Sequence, residues 1–184
     1  MKELILKYKS VIQFVLLFLG TYLVLSFCYS FYLNLSIGRS YHPDFVTHFV
    51  ARQSTGLISN LGYDAEIVAH EWKPQMVLNM NKKYLASIIE GCNSISVIIL
   101  FIAFIVAFAQ HFKKTFFFIV IGSMLIYIVN VIRIVILAIA LHHYPQYEKL
   151  LHGVVFPGII YGMVFLLWML WIQRLAPKTE AKDG

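Results

Sequence analysis

Apolar residues fall in four long blocks along the chain, at about Val11 to Leu33, Gly91 to Gln110, Phe116 to Leu141 and Gly153 to Trp171. A helix rises about 1.5 Å per residue, so about 20 apolar residues cross the hydrocarbon layer of a membrane. The pattern predicts an all-α integral membrane protein, a four-transmembrane-helix bundle. Lys2, Lys7 and Lys9 precede the first block as they would a signal peptide. Its apolar run, however, exceeds the roughly 7 to 15 residues of a signal-peptide core, and no small-x-small cleavage site follows. It reads as an uncleaved anchor. No internal repeat divides the chain, and residues 1–184 read as a single membrane domain.

Between the first two blocks, over residues 34–90, the pattern changes. Phe45, Val46, Phe49, Val50, Leu57, Ile58 and Leu61 recur at spacings of three and four, with Pro43 suited to the first turn. This predicts an amphipathic helix lying in the membrane interface. Beyond Gly62, short stretches around Glu66 to His70, Gln75 to Met80 and Tyr84 to Ile89 are separated by Lys73-Pro74 and Asn81-Lys82. They predict a small β-meander leading into the second span.

Composition agrees with the blocks. The chain is 60% hydrophobic and 13% charged, whereas soluble domains are about 45 to 50% apolar and about 25% charged. A soluble enzyme, a disordered tail and a nucleic-acid-binding domain are poor fits. The net charge of +6 belongs to residues flanking the apolar blocks, where it signals topology. Lys2, Lys7, Lys9, Lys113, Lys114, Arg174, Lys178 and Lys182 lie on one side, with only Glu3, Glu180 and Asp183 to offset them. Basic and acidic residues balance on the other side. Both termini are therefore expected in the cytoplasm and residues 34–90 on the outer face of the cytoplasmic membrane.

Arg133 is the one positive charge inside a span. A charge there costs at least about 2.5 kcal/mol on insertion scales and usually faces a bundle interior or a wet cavity. It stands eight residues before Leu141, about 12 Å below the outer end of its helix. Ser123, Tyr127, Asn130, Arg133 and Leu137 are spaced by three and four, which puts a polar stripe on one face. Two cysteines, Cys28 and Cys92, exclude a disulfide framework. Cys28, among Leu25, Phe27 and Tyr29, reads as packing. Cys92 sits in Glu90-Gly91-Cys92-Asn93-Ser94, where polar neighbours argue for access from outside. By itself a membrane cysteine is usually a small packing residue, and His152, at the head of the fourth span, is ordinarily an interfacial polar residue. His142 and His143 are rivals for any histidine role. No metal-ligand spacing is present, since Pro74 stands where His70-Glu71 would need a second histidine. No cofactor is implied.

Topology joins the three signals. Cys92 opens the second span, Arg133 lies in the outer half of the third, and His152 opens the fourth, all at one leaflet. A thiol becomes a nucleophile beside a cation or base. An imidazole gives a proton to a departing amine, and a guanidinium stabilises an oxyanion.

With these residues in this order, the sequence resembles the exosortase/archaeosortase family of membrane-embedded cysteine transpeptidases. The blocks are Glu90-Gly91-Cys92-Asn93-Ser94-Ile95, Asn130-Val131-Ile132-Arg133-Ile134 and His152, and the resemblance covers roughly residues 40 to 170. Two features differ: Ser94 stands where the family often has glycine, and many members carry further spans. The chain looks like a short, exosortase F-like variant. The resemblance implies exported protein substrates with a C-terminal sorting signal, comprising a short motif, a transmembrane helix and a basic tail. It also implies catalysis by Cys92, Arg133 and His152. Asn130, on the face of Arg133, is a candidate to hold the guanidinium, whereas Glu90 is a carboxylate close to the thiol. Two other classes remain: a small transporter or channel subunit in which Arg133 binds an anion, and a non-catalytic assembly protein that binds sorting helices. The Gly158-x-x-x-Gly162 pattern is expected to serve helix packing within the chain.

Overall fold

The computed structural model describes residues 8–36, 43–109 and 111–175. Among the described residues three helices are long and apolar enough to cross a membrane: α1 (Lys9–Ser36), α4 (Phe112–His143) and α5 (Pro145–Gln173). Between them lie α2 (Phe45–Asn60), strands β1 (Ala65–Ala69), β2 (Gln75–Met80) and β3 (Lys83–Ile89), and the short apolar helix α3 (Ile95–Ala107). The expected second span is therefore shorter than its apolar block. α3 has 13 residues, about 20 Å of helix. It is trimmed at its start because Glu90–Cys92 form a 3-10 turn and Ser94 adopts a left-handed conformation with φ of 65°. Its end comes at Phe108, after which Ala109 N donates to Val106 O.

α4 is the central helix. Of its most apolar window 44% is buried, against 17% for α5 and none for α1. α1 packs along α3 through a half-buried stripe that includes Phe14, Phe18, Thr21, Leu25 and Tyr29. Phe14 packs on Phe104 and Phe108 of α3, while the phenols of Tyr29 and Tyr32 bond to Asn93 and Asp44. One core cluster holds Phe101, Ile105, Ile126, Val164, Leu167 and Trp171, with the Phe101 ring lying where a side chain on Gly122 would stand. Gly158 and Gly162, expected to pack within the chain, instead face outward with open space above them. The buried positions of α5 are Phe156, Ile160, Val164, Leu167 and Trp171, on another face of that helix.

The amphipathic helix forms, but its packed face is not the bulky one. Asp44, not Pro43, opens it: one carboxylate oxygen accepts from Val46 N and Thr47 N, both at 3.0 Å, as an N-cap does. Thr47, Val50, Ala51, Ser54, Thr55 and Ile58 are buried, while Phe45, Phe49, Leu57 and Leu61 stay exposed. Small side chains let α2 approach α4 and the sheet closely, and the bulky ones are left to the surroundings.

The meander is present in the order β1-β2-β3, antiparallel throughout. Asn81 and Lys82 both have positive φ, 52° and 62°, the geometry of the two-residue turn that matches strand twist. Met76, Leu78 and Met80 alternate as the buried positions of β2. They meet Ile58 of α2 and Ile134, Val135 and Ala138 of α4. This face fixes the sheet against the end of α4 that carries Arg133.

Candidate active site

β3 runs directly into the 3-10 turn Glu90–Cys92, so the thiol sits at the junction of sheet and membrane helix. The residue that follows Cys92 and the cysteine's own backbone carbonyl are tied down. Asn93 is fully buried; its Nδ2 donates to Tyr29 Oη at 2.8 Å and Thr47 Oγ1 at 3.0 Å. Its Oδ1 accepts from Ile95 N at 3.0 Å, satisfying one free donor at the start of α3. One amide thus joins α1, α2 and α3 beside the cysteine. The backbone carbonyl of Cys92 accepts from Asn130 Nδ2 at 2.7 Å. Asn130, expected to hold the guanidinium, holds the cysteine's backbone, and no hydrogen bond links it to Arg133 among the described residues.

Cys92, Arg133 and His152 line one cavity of about 280 Å³. Cys92 and Arg133 are half-buried and His152 is exposed. Arg133 Nε is buried with no hydrogen-bond partner among the described residues. That donor is not committed to a partner within the described fold, and an unpaired buried donor calls for an explanation. The remaining wall is mostly apolar, from Leu78, Leu85, Ile134, Leu137, Ala138 and Leu141.

His152 lies in a π-helical turn, Leu151–Val155, ahead of the regular part of α5. Pro157 has no N–H to return to the carbonyl of Gly153, and the interrupted ladder widens at that point. The rival histidines are engaged elsewhere: His142 Nε2 lies 3.3 Å from Asn81 Nδ2 and His143 Nε2 lies 3.0 Å from Tyr63 Oη. Neither lines the cavity. Both cysteines are free, and Cys28, expected to pack, is exposed on α1. Glu90 is exposed and lines a separate recess with Asp44, Asn34 and Ser30, so its carboxylate does not share the cavity of the thiol. Among the described residues no group of three or more His, Cys, Asp or Glu side chains could hold a metal.

A family comparison covers nearly the whole chain: the transmembrane exosortase family matches residues 6–173. The chain belongs to that family. No curated protein and no solved structure matches it. Membership of the exosortases implies a membrane peptidase or transpeptidase. Ser94, where the sequence resemblance leads us to expect glycine, has a left-handed backbone. The φ of 65° there costs a side-chain-bearing residue about 1 kcal/mol. In this exosortase Ser94 Oγ donates to Asn93 O at 2.6 Å, a local bond that offsets part of the cost.

Sequence reasoning missed two contributors to the cavity. Glu148 lines it, and its position four residues before His152 was a legible sign of a shared helical face. The other is β3, whose residues 84–88 form a wall of the cavity; no spacing in the chain announces that. The Asn130 bond gives a direct test of how the cysteine is held. Asn130→Leu keeps the volume but strands the Cys92 carbonyl, and is expected to cost about 1 to 3 kcal/mol. Thermal unfolding in detergent checks this, and an unchanged midpoint would show that the bond contributes nothing.

Proposed function

We propose that this exosortase is a membrane-embedded cysteine transpeptidase or peptidase that cleaves C-terminal sorting signals of exported proteins. The observation that carries the proposal is the single cavity lined by Cys92, Arg133 and His152, drawn from three separate elements. The Cys92 thiolate attacks the scissile carbonyl, forming a C–S bond and placing charge on the carbonyl oxygen. Arg133, whose Nε has no partner among the described residues, stabilises that oxyanion. As the C–N bond breaks, His152 gives its proton to the departing amine, leaving a thioester on Cys92. His152 then takes a proton from water or from an acceptor amine, which attacks the thioester; the C–S bond breaks and the Cys92 thiolate and protonated His152 are restored. Hydrolysis releases the protein; aminolysis transfers it to a surface anchor. Asn130 positions Cys92 through its backbone carbonyl.

The membrane arrangement follows the same logic. α1, α4, α5 and the shorter α3 with its flanking turns make four crossings of the cytoplasmic membrane. Both termini are cytoplasmic and the site lies on the outer face, in keeping with the basic residues flanking the opposite ends of the spans. A substrate's transmembrane helix then presents its outer end to Cys92.

The test needs no substrate. In a Cys28→Ser background, Cys92 is alkylated at neutral pH by a membrane-impermeant thiol reagent. His152→Ala and Arg133→Gln are each expected to slow alkylation by about tenfold, because a nearby base or cation favours the reactive thiolate. Equal rates in all three proteins would separate the thiol from its two partners and refute the proposal.

A further inference from the structure

We propose that the free edge of β3 is a docking strand for the extended stretch of substrate that precedes the cleaved bond, which joins the sheet as a fourth strand. This rests on Cys92 being the nucleophile. β3 ends the sheet and pairs only with β2. Side chains of a strand alternate between its faces, so a cavity against one face would meet every second residue. The cavity at Cys92 meets Tyr84, Leu85, Ala86, Ser87 and Ile88 in unbroken succession. Leu78 of β2 lines it too, so the cavity opens on the face of the sheet and, at the residues whose side chains point away from it, reaches the backbone of β3.

The N–H and C=O groups on the free edge of β3 are unused. Among the described residues, the backbone of 84–88 makes no hydrogen bond beyond its ladder with β2. Edges that must stay unpaired usually carry charges, proline or a bulge. Here no charge or proline stands between Tyr84 and Ile88. The irregularity in pairing falls at Leu78/Asn79, where Leu85 is passed over. From Ala86 to Ile89 the register is regular, and this is the half of the strand that runs into the Glu90–Cys92 turn. A strand added there is delivered beside the thiol. Recognition by strand addition takes its affinity from main-chain bonds, so a probe for it does not need the natural substrate sequence.

The probes are peptidyl chloromethyl ketones of one to four alanines, applied to the purified full-length protein in a Cys28→Ser background. The Cys92 thiolate displaces chloride from the methylene carbon, the C–S bond replacing the C–Cl bond, and the adduct is read by intact mass. The rate is expected to rise about tenfold from the shortest to the longest label, the effect of one or two net backbone hydrogen bonds. N-methylation at one alternate set of residues should abolish the gain, and N-methylation at the other set should leave it. Rates that ignore length, or that fall equally wherever the methyl is placed, overturn the proposal. That result is distinct from failure of the underlying site, which appears as alkylation by a small reagent that is indifferent to Arg133 and His152.

Discussion

In Cys92→Ala, processing of an exported protein that ends in a transmembrane helix and basic tail is expected to fall by at least about a thousandfold, the scale on which loss of a covalent nucleophile acts. Retention of the tail on an immunoblot of co-expressed protein measures it. The expectation follows from geometry as well as family membership. Cys92 is the one cysteine on the cavity that also holds Arg133 and His152, and Cys28 is exposed on α1. Cys28→Ser should therefore process normally. The same pair of variants separates the competing classes. An anion transporter built on Arg133, or an assembly protein that only binds sorting helices, keeps its function in Cys92→Ala. Continued cleavage in that variant would remove cysteine catalysis from this chain.

Arg133→Gln is expected to lower processing about 10² to 10³-fold, as loss of an oxyanion donor does, while the thermal midpoint in detergent stays the same or rises. The two effects have opposite signs for one reason. A charge within a span costs at least about 2.5 kcal/mol on insertion scales. Arg133 offsets none of it with an ion pair among the described residues, and its Nε lacks a partner. Removing the charge relieves the fold and disarms the site. Arg133→Lys keeps the charge without the planar fork of donors, and should recover only part of the activity. A structural arginine would behave otherwise, with stability and activity falling together in Arg133→Gln.

Membrane character, the amphipathic segment and the meander were legible in the sequence because each rests on local periodicity or composition; that Cys92, Arg133 and His152 come together at one cavity was an expectation drawn from the order of the apolar blocks. The periodicity of α2 could locate the helix but not its buried face. Thr47, Ala51, Ser54 and Thr55 are buried there because close approach favours small side chains over hydrophobic ones. Apolar length likewise overstated α3. A run of apolar residues does not report that Cys92 belongs to a 3-10 turn or that Ser94 turns left-handed.

Asn130 illustrates the remaining gap. Its place on the face of Arg133 follows from helical spacing, yet its amide donates to Cys92 O, 38 residues away in the chain. The choice among three nearby histidines was also closed to sequence. His142 and His143 are engaged by Asn81 and Tyr63, contributed by the β2–β3 turn and the segment after α2. The sequence alone determined which stretches are apolar enough to be membrane helices and where the amphipathic helix and the meander lie, since hydropathy and periodicity act without reference to distant neighbours. Only the tertiary structure decided which residues share a cavity, that β3 lines it, and that the arginine's Nε is left without a partner among the described residues. Those outcomes depend on contacts between elements distant in the chain, and no local pattern encodes them.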